Sequence, residues 1–234
     1  QSFLLNLFND LYENGEQKLY QKVLKHYLRP LMIAYKKGYD KETSTLAKLF
    51  TQMLNQGDKK LLNQLTSELV RRGVKDSVLL SYHIASKTKP SFQSEIVSMK
   101  AFEKKQLFIQ VCKRNEESYN SSLFKELLRF AKKNNLEVSP ALQTIQSLAK
   151  AGQLNEALTF LEELNGSLTT KDSLTYFFTA SAQLSLGLVQ EGQYKAAMGC
   201  LADAFNRVQA KATFYKAGEQ MQILEEIAYE LGKG

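Results

Sequence analysis

The sequence predicts an all-α protein, a solenoid of antiparallel helical hairpins. Apolar residues recur three and four positions apart over most of the chain, with no sustained strand-like alternation. Only three prolines interrupt 234 residues. Two 35-residue stretches, 43–77 and 138–172, align without a gap, glycine on glycine, and a repeat of that length is the mark of stacked helical units. With 44% hydrophobic and 24% charged residues, the chain can bury a substantial core without disulfides or metals. The expected organisation is a single helical-repeat array over 1–234, read as a segment of a longer repeat protein. It comprises N-terminal helices at 1–42, hairpins at 43–207 and a C-terminal helix or cap at 208–234.

The first element, Gln1 to Asn14, carries an apolar stripe of Phe3, Leu4, Leu7, Phe8 and Leu11 and stops near Gly15. A face this apolar needs a neighbour, expected to be either the next helix or a preceding repeat. Gln17 to Lys37 continues helically, with Pro30 expected to kink or split it by removing one backbone hydrogen bond. Lys36-Lys37-Gly38 is its stop signal. From Thr43, Leu46, Leu49, Phe50 and Met53 share one helical face, Gly57 supplies a turn, and Leu61, Leu62, Leu65 and Leu69 form the facing stripe up to Arg71-Arg72-Gly73.

The middle of the chain is less regular. Val78 to Ser86 reads as a helix, with Pro90 to Phe102 as its expected partner. Lys105 to Lys113 and Ser122 to Leu136 read as a further pair, with Asn134-Asn135 placed for a left-handed cap. Beyond the second clear hairpin, Leu174 to Glu191 is a long helix and Gly192 a turn into the next. Phe214 to Leu231 is a final amphipathic helix carrying Met221, Leu224, Ile227 and Leu231.

The clearest hairpin is 138–172. Pro140 suits the first turn of a helix, and Ser139 is placed to cap it. Leu142, Ile145 and Leu148 follow at helical spacing, Gly152 is free to go left-handed, and Leu154, Ala157, Leu158, Leu161 and Leu164 face back. The run from Leu148 to Leu164, LAKAGQLNEALTFLEEL, resembles a pentatricopeptide repeat. In the match to 43–77, Gly57 falls on Gly152, Leu65 on Phe160, Glu68 on Glu163 and Leu69 on Leu164. Tetratricopeptide hairpins share the glycine turn and the Ala-Leu pair.

The resemblance implies single-stranded RNA as ligand, in an organellar, mitochondrial setting of RNA metabolism or translation. It also implies that a polar residue early in each first helix reads a base together with the last residue of the repeat. The last residues, Asp172 and Ser77, are suitable, but their partner positions hold Leu142 and Ala47, with Ile109 between them, and none can bond a base edge. Backbone and stacking contacts remain, with Lys48, Lys113, Arg114 and Lys150 as candidates on the concave side. Lys59 and Lys60 open a second helix and are expected on the outer side.

Charge agrees with a polyanion ligand. Residues 1–137 hold 24 Lys and Arg against 14 Asp and Glu, a formal +10, and residues 138–234 hold 7 against 10, a formal −3. Helix C-termini favour cations too, and Lys36-Lys37, Arg71-Arg72, Lys113-Arg114 and Lys132-Lys133 stand at such places.

Nothing in the sequence points to catalysis or a cofactor. His26 and His83 are the only histidines, neither at ligand or triad spacing, and no phosphate-loop or dinucleotide fingerprint occurs. The paired acids Glu116-Glu117, Glu162-Glu163 and Glu225-Glu226 are adjacent, which on a helix turns them apart by about 100°. Cys112 and Cys200 are expected as core thiols, and no apolar run is long enough to span a membrane. The second function class left open is a protein-binding scaffold, with the Phe3–Leu11 and Phe214–Leu231 faces as docking surfaces.

Overall fold

A computed structural model describes residues 2–92, 98–164, 171–210 and 229. Every regular element among them is helical: α1 (Ser2–Glu13), α2 (Gln17–Lys37), α3 (Thr45–Asn55), α4 (Lys59–Arg71), α5 (Ser77–Ser86), α6 (Ala101–Glu117), α7 (Ser121–Asn134), α8 (Ser139–Lys150), α9 (Leu154–Glu163), α10 (Lys171–Gln190) and α11 (Tyr194–Ala210). The chain divides into two compact units, 1–119 with α1–α6 and 120–234 with α7–α11. The expected Phe214–Leu231 helix lies outside the described residues but for Tyr229, and so does the centre of the expected Pro90–Phe102 helix. Phe102 itself belongs to the first turn of α6.

Among the described residues the helices are joined through one turn used five times. At Gly15, Gly57, Gly73, Gly152 and Gly192 the backbone turns left-handed, with φ of +71°, +77°, +81°, +76° and +74°. After Gly57 the Asp58 amide reaches back to the Met53 carbonyl at 2.9 Å. After Gly152 the Gln153 amide reaches Leu148 at 3.0 Å, and after Gly192 the Gln193 amide reaches Leu188 at 2.8 Å. This is the Schellman closure, which satisfies carbonyls left open at a helix end and asks for a residue without a Cβ. Asn135 takes the same left-handed conformation between α7 and α8, at φ +52°.

In both units the helix that follows a hairpin packs on both members of that hairpin. In the first unit α3 lies on α1 and α2, and α5 lies on α3 and α4; in the second, α10 lies on α8 and α9. The aligned positions of the two 35-residue stretches behave alike. Leu65 and Phe160 are buried, Leu69 and Leu164 are buried, and Glu68 and Glu163 are not.

α5 explains its own sequence. Every residue from Val78 to Ser86 is buried, so a helix apolar on all sides sits at the centre of the first unit against α3, α4 and α6. Its polar groups are satisfied: Ser81 and Ser86 donate to carbonyls of their own helix, and His83 Nδ1 lies 3.1 Å from Thr66 Oγ1 on α4. The second unit is knit by Phe124 against Phe160, ring centroids 4.3 Å apart. There α9 approaches α10 so closely that a Cβ on Gly187 would lie 2.7 Å from Leu154 Cδ2.

Two local expectations are corrected. Pro30 does not split α2, which stays helical through it; the carbonyl that Pro30 leaves without a donor belongs to exposed His26, on the side where water can serve it. Ser139 does not cap α8; it is the first helical residue, and its hydroxyl donates to Glu137 Oε1 at 2.8 Å.

Candidate nucleic-acid interface

The cations proposed from the sequence fall into different environments. On α6 the buried residues are Leu107, Phe108, Val111, Cys112, Arg114 and Asn115. At about 100° per residue, Arg114 stands on the same arc as Leu107 and Val111, while Lys113 is turned away from it. Lys113 is accordingly exposed, and Arg114 keeps only 1% of its surface.

Arg114 joins four segments of the first unit. Its Nη2 donates to Glu42 Oε1 and Oε2 at 3.2 and 3.1 Å, from the loop ahead of α3. Its Nη1 donates to Thr51 Oγ1 on α3 at 3.2 Å and to the Tyr82 hydroxyl on α5. A guanidinium only donates, so the Tyr82 and Thr51 oxygens both accept from it, and the two hydroxyls share a further hydrogen bond of 2.5 Å. The guanidinium carbon also lies 4.4 Å from the centre of the Tyr82 ring. Glu117 Oε2 comes within 3.0 Å of Nη1 without accepting a hydrogen bond. Burial pushes the Tyr82 hydroxyl up to about 12. Burial also raises the Glu117 carboxyl above its ordinary value, more than Arg114 and Lys113 lower it. Lys113 Nζ lies 2.5 Å from the same Glu42. Arg114 is therefore corrected from a phosphate ligand to the centre of a buried polar network.

Lys48 on α3 is exposed and makes no ion pair among the described residues. Ser77 opens α5, half-buried beside a cavity of about 260 Å³ that Asp76, Phe102 and Gln106 also line. Lys150 ends α8 and Asp172 is the second residue of α10, both in the second unit. The positions that would read bases are closed: Ala47 and Leu142 are fully buried, and Ile109 is half-buried. Both cysteines are buried free thiols, raised by burial. His26 is exposed. Among the described residues no three His, Cys, Asp or Glu side chains gather as metal ligands, and no helix is long and apolar enough to cross a membrane.

Among the described residues, the longest line of exposed charge on one helix lies elsewhere, on α2. Lys18, Lys22, Lys25, Arg29 and Lys36 are all exposed, and at about 100° per residue they fall within an arc of roughly 60°. The stripe extends about 27 Å along the axis at ~1.5 Å per residue. Lys37 adds a sixth cation beside it, and α2 has no Asp or Glu. Some exposed cations elsewhere are paired, Arg71 and Arg72 with Glu68, Arg129 with Glu126 and Lys113 with Glu42. Others, such as Lys48, Lys125, Lys132 and Lys133, are exposed without a salt bridge among the described residues but form no line of comparable length on one helix. None of the six on α2 makes a salt bridge among the described residues. The helical spacing 18, 22, 25, 29, 36 is present in the sequence itself, whereas the pairs Arg71-Arg72, Lys113-Arg114 and Lys132-Lys133 stand near helix ends. No protein-family model, no curated protein and no solved structure matches this chain.

Proposed function

We propose that this chain is a helical-repeat protein that binds single-stranded RNA through its phosphate backbone. In this reading the stacked hairpins form a solenoid of pentatricopeptide type, working in mitochondrial RNA metabolism or translation. The organellar setting rests on the sequence resemblance alone. The recurring glycine turn, and the packing of each following helix on both members of the hairpin before it, support the repeat architecture.

The observation that carries the ligand is the division of charge. Residues 1–119 hold 20 Lys and Arg against 12 Asp and Glu, a formal +8, and residues 120–234 hold 11 against 12, a formal −1. Much of that excess is exposed and unpaired on α2. Binding a polyanion releases its condensed counterions, so such a surface gains affinity most at low salt. Burial of Ala47 and Leu142 leaves no base-reading pair in the two best repeats, which favours backbone contact over a sequence code.

The test is titration of single-stranded RNA over rising salt. Five phosphate contacts at ~0.7 per contact predict a slope of log K on log salt of about −3.5. Absence of binding at ~50 mM salt, or a flat slope, sinks the reading. A protein-binding scaffold is the second reading. It is favoured by α11, where exposed Tyr194, Met198 and Phe205 follow one helical face, and by exposed Phe3 at the start of α1.

A further inference from the structure

The α2 stripe stands ahead in sequence of the hairpins that resemble repeats, on a helix other than the first helices that the resemblance makes the RNA surface. Resting on the RNA reading above, we infer that the strand runs lengthwise along α2, its phosphates on Lys18, Lys22, Lys25, Arg29 and Lys36, with a base stacked on Tyr39. Three observations converge. The five cations share one exposed, acid-free face of α2, four of them on successive turns and Lys36 about two turns beyond Arg29. The buried side of α2 (Tyr20, Leu24, Leu31 and Tyr35) fixes the helix on its unit, so the line is presented rigidly and little order is lost on binding. Just past the C-terminal end of the line, Gly38 takes an extended conformation at φ −68° and ψ 140°, and Tyr39 follows fully exposed. A phenol ring in water beside a row of cations is what a sequence-tolerant single-strand site uses: charge along the backbone and an aromatic face for a base. Lys41, tied down on the Lys36 carbonyl at 2.9 Å and on that of Tyr35, holds the chain that carries Tyr39 against the end of α2.

The two kinds of contact have different signatures. The probe is a fluorescently labelled uridine oligonucleotide, titrated into the full chain at several salt concentrations. Replacing Lys18, Lys22, Lys25 and Arg29 together by Gln should reduce the salt slope by about 3, at ~0.7 per lost contact. The pair Lys22→Gln and Arg29→Gln should reduce it by about half as much. Tyr39→Ala should weaken binding about tenfold and leave the slope unchanged, because stacking is not a counterion effect. The control neutralises the same number of charges in the same unit at Lys59, Lys60, Lys104 and Lys105. Circular dichroism should show all variants equally helical, since the altered side chains lie on the surface. Equal losses of slope from the α2 set and the control set would overturn the α2 site while leaving RNA binding in place. No binding of the parent chain at ~50 mM salt would remove both readings. Capture by phosphatidylserine-containing vesicles without capture of the oligonucleotide would assign the stripe to a lipid surface and overturn the inference.

Discussion

The Arg114 guanidinium lies 3.1 Å from the Glu42 carboxylate, Nη2 to Oε2, across 72 residues of chain. The pair fastens the loop before α3 to the end of α6, and Thr51 and Tyr82 complete the shell. Without Arg114, half-buried Glu42 keeps only Lys113, and the buried Tyr82 hydroxyl loses its charged donor. Arg114→Met should therefore cost about 2–3 kcal/mol in denaturant unfolding. Lys113→Met, on an exposed contact with the same Glu42, should cost no more than about 1 kcal/mol. Similar small losses for both would show that the network is not structural. Charge reversal at Arg114 would report unfolding and is unsuitable as a probe of RNA binding.

The Glu117 carboxyl gives that network a pH dependence. Burial raises it above its ordinary 4.5 in the native chain, against the pull of Arg114. Between the unfolded value and the raised native one, the native state holds the proton more tightly, so this group's contribution to stability falls as pH rises through that window. Glu117→Gln removes the titration. The variant should be more stable than the parent at neutral pH, and the difference should vanish below about pH 4. Denaturant midpoints across pH test this, and a variant less stable than the parent at neutral pH would contradict it.

Two glycines should respond to alanine with opposite signs. Gly152 has φ +76°, and a Cβ there would meet nothing within 4 Å, so the cost of Gly152→Ala is backbone alone, about 1–2 kcal/mol. Gly199 is inside α11 at ordinary φ and also faces open space. Gly199→Ala should gain about 0.5–1 kcal/mol. Thermal unfolding of both variants decides the matter, and a shift of the same sign would contradict the turn assignment.

Leu161 on α9 is buried, yet it borders a groove of about 330 Å³ between α9 and α11. Leu161→Ala should cost about 2–3 kcal/mol, the lower part of the usual range, since part of its surroundings is already open. A loss under about half a kilocalorie would place the side chain outside the core.

What the sequence disclosed was local. Gly57, Gly152, Gly192 and Asn135 were legible because a helix end, a left-handed residue and a facing apolar stripe all lie within a few residues. The apolar positions of 43–77 and 138–172 were legible for the same reason. Arg114 was not. A Lys-Arg pair near a helix end looks like two solvated cations, and only Glu42, Thr51 and Tyr82, distant in sequence, make one of them internal. Phe102 was misassigned because a proline at 90 and a run of mixed residues give no boundary until Glu103, whose carboxylate accepts from the Lys100 amide at 2.7 Å and starts α6.

Lysine acylation of the full chain, with and without bound single-stranded RNA and read residue by residue by mass spectrometry, locates the ligand directly. Protection is expected at Lys18, Lys22, Lys25 and Lys36 on α2 and not at exposed Lys125, Lys132 and Lys133 on α7. Protection confined to the second unit, or spread evenly over both while RNA stays bound, would contradict binding through the basic face of the first.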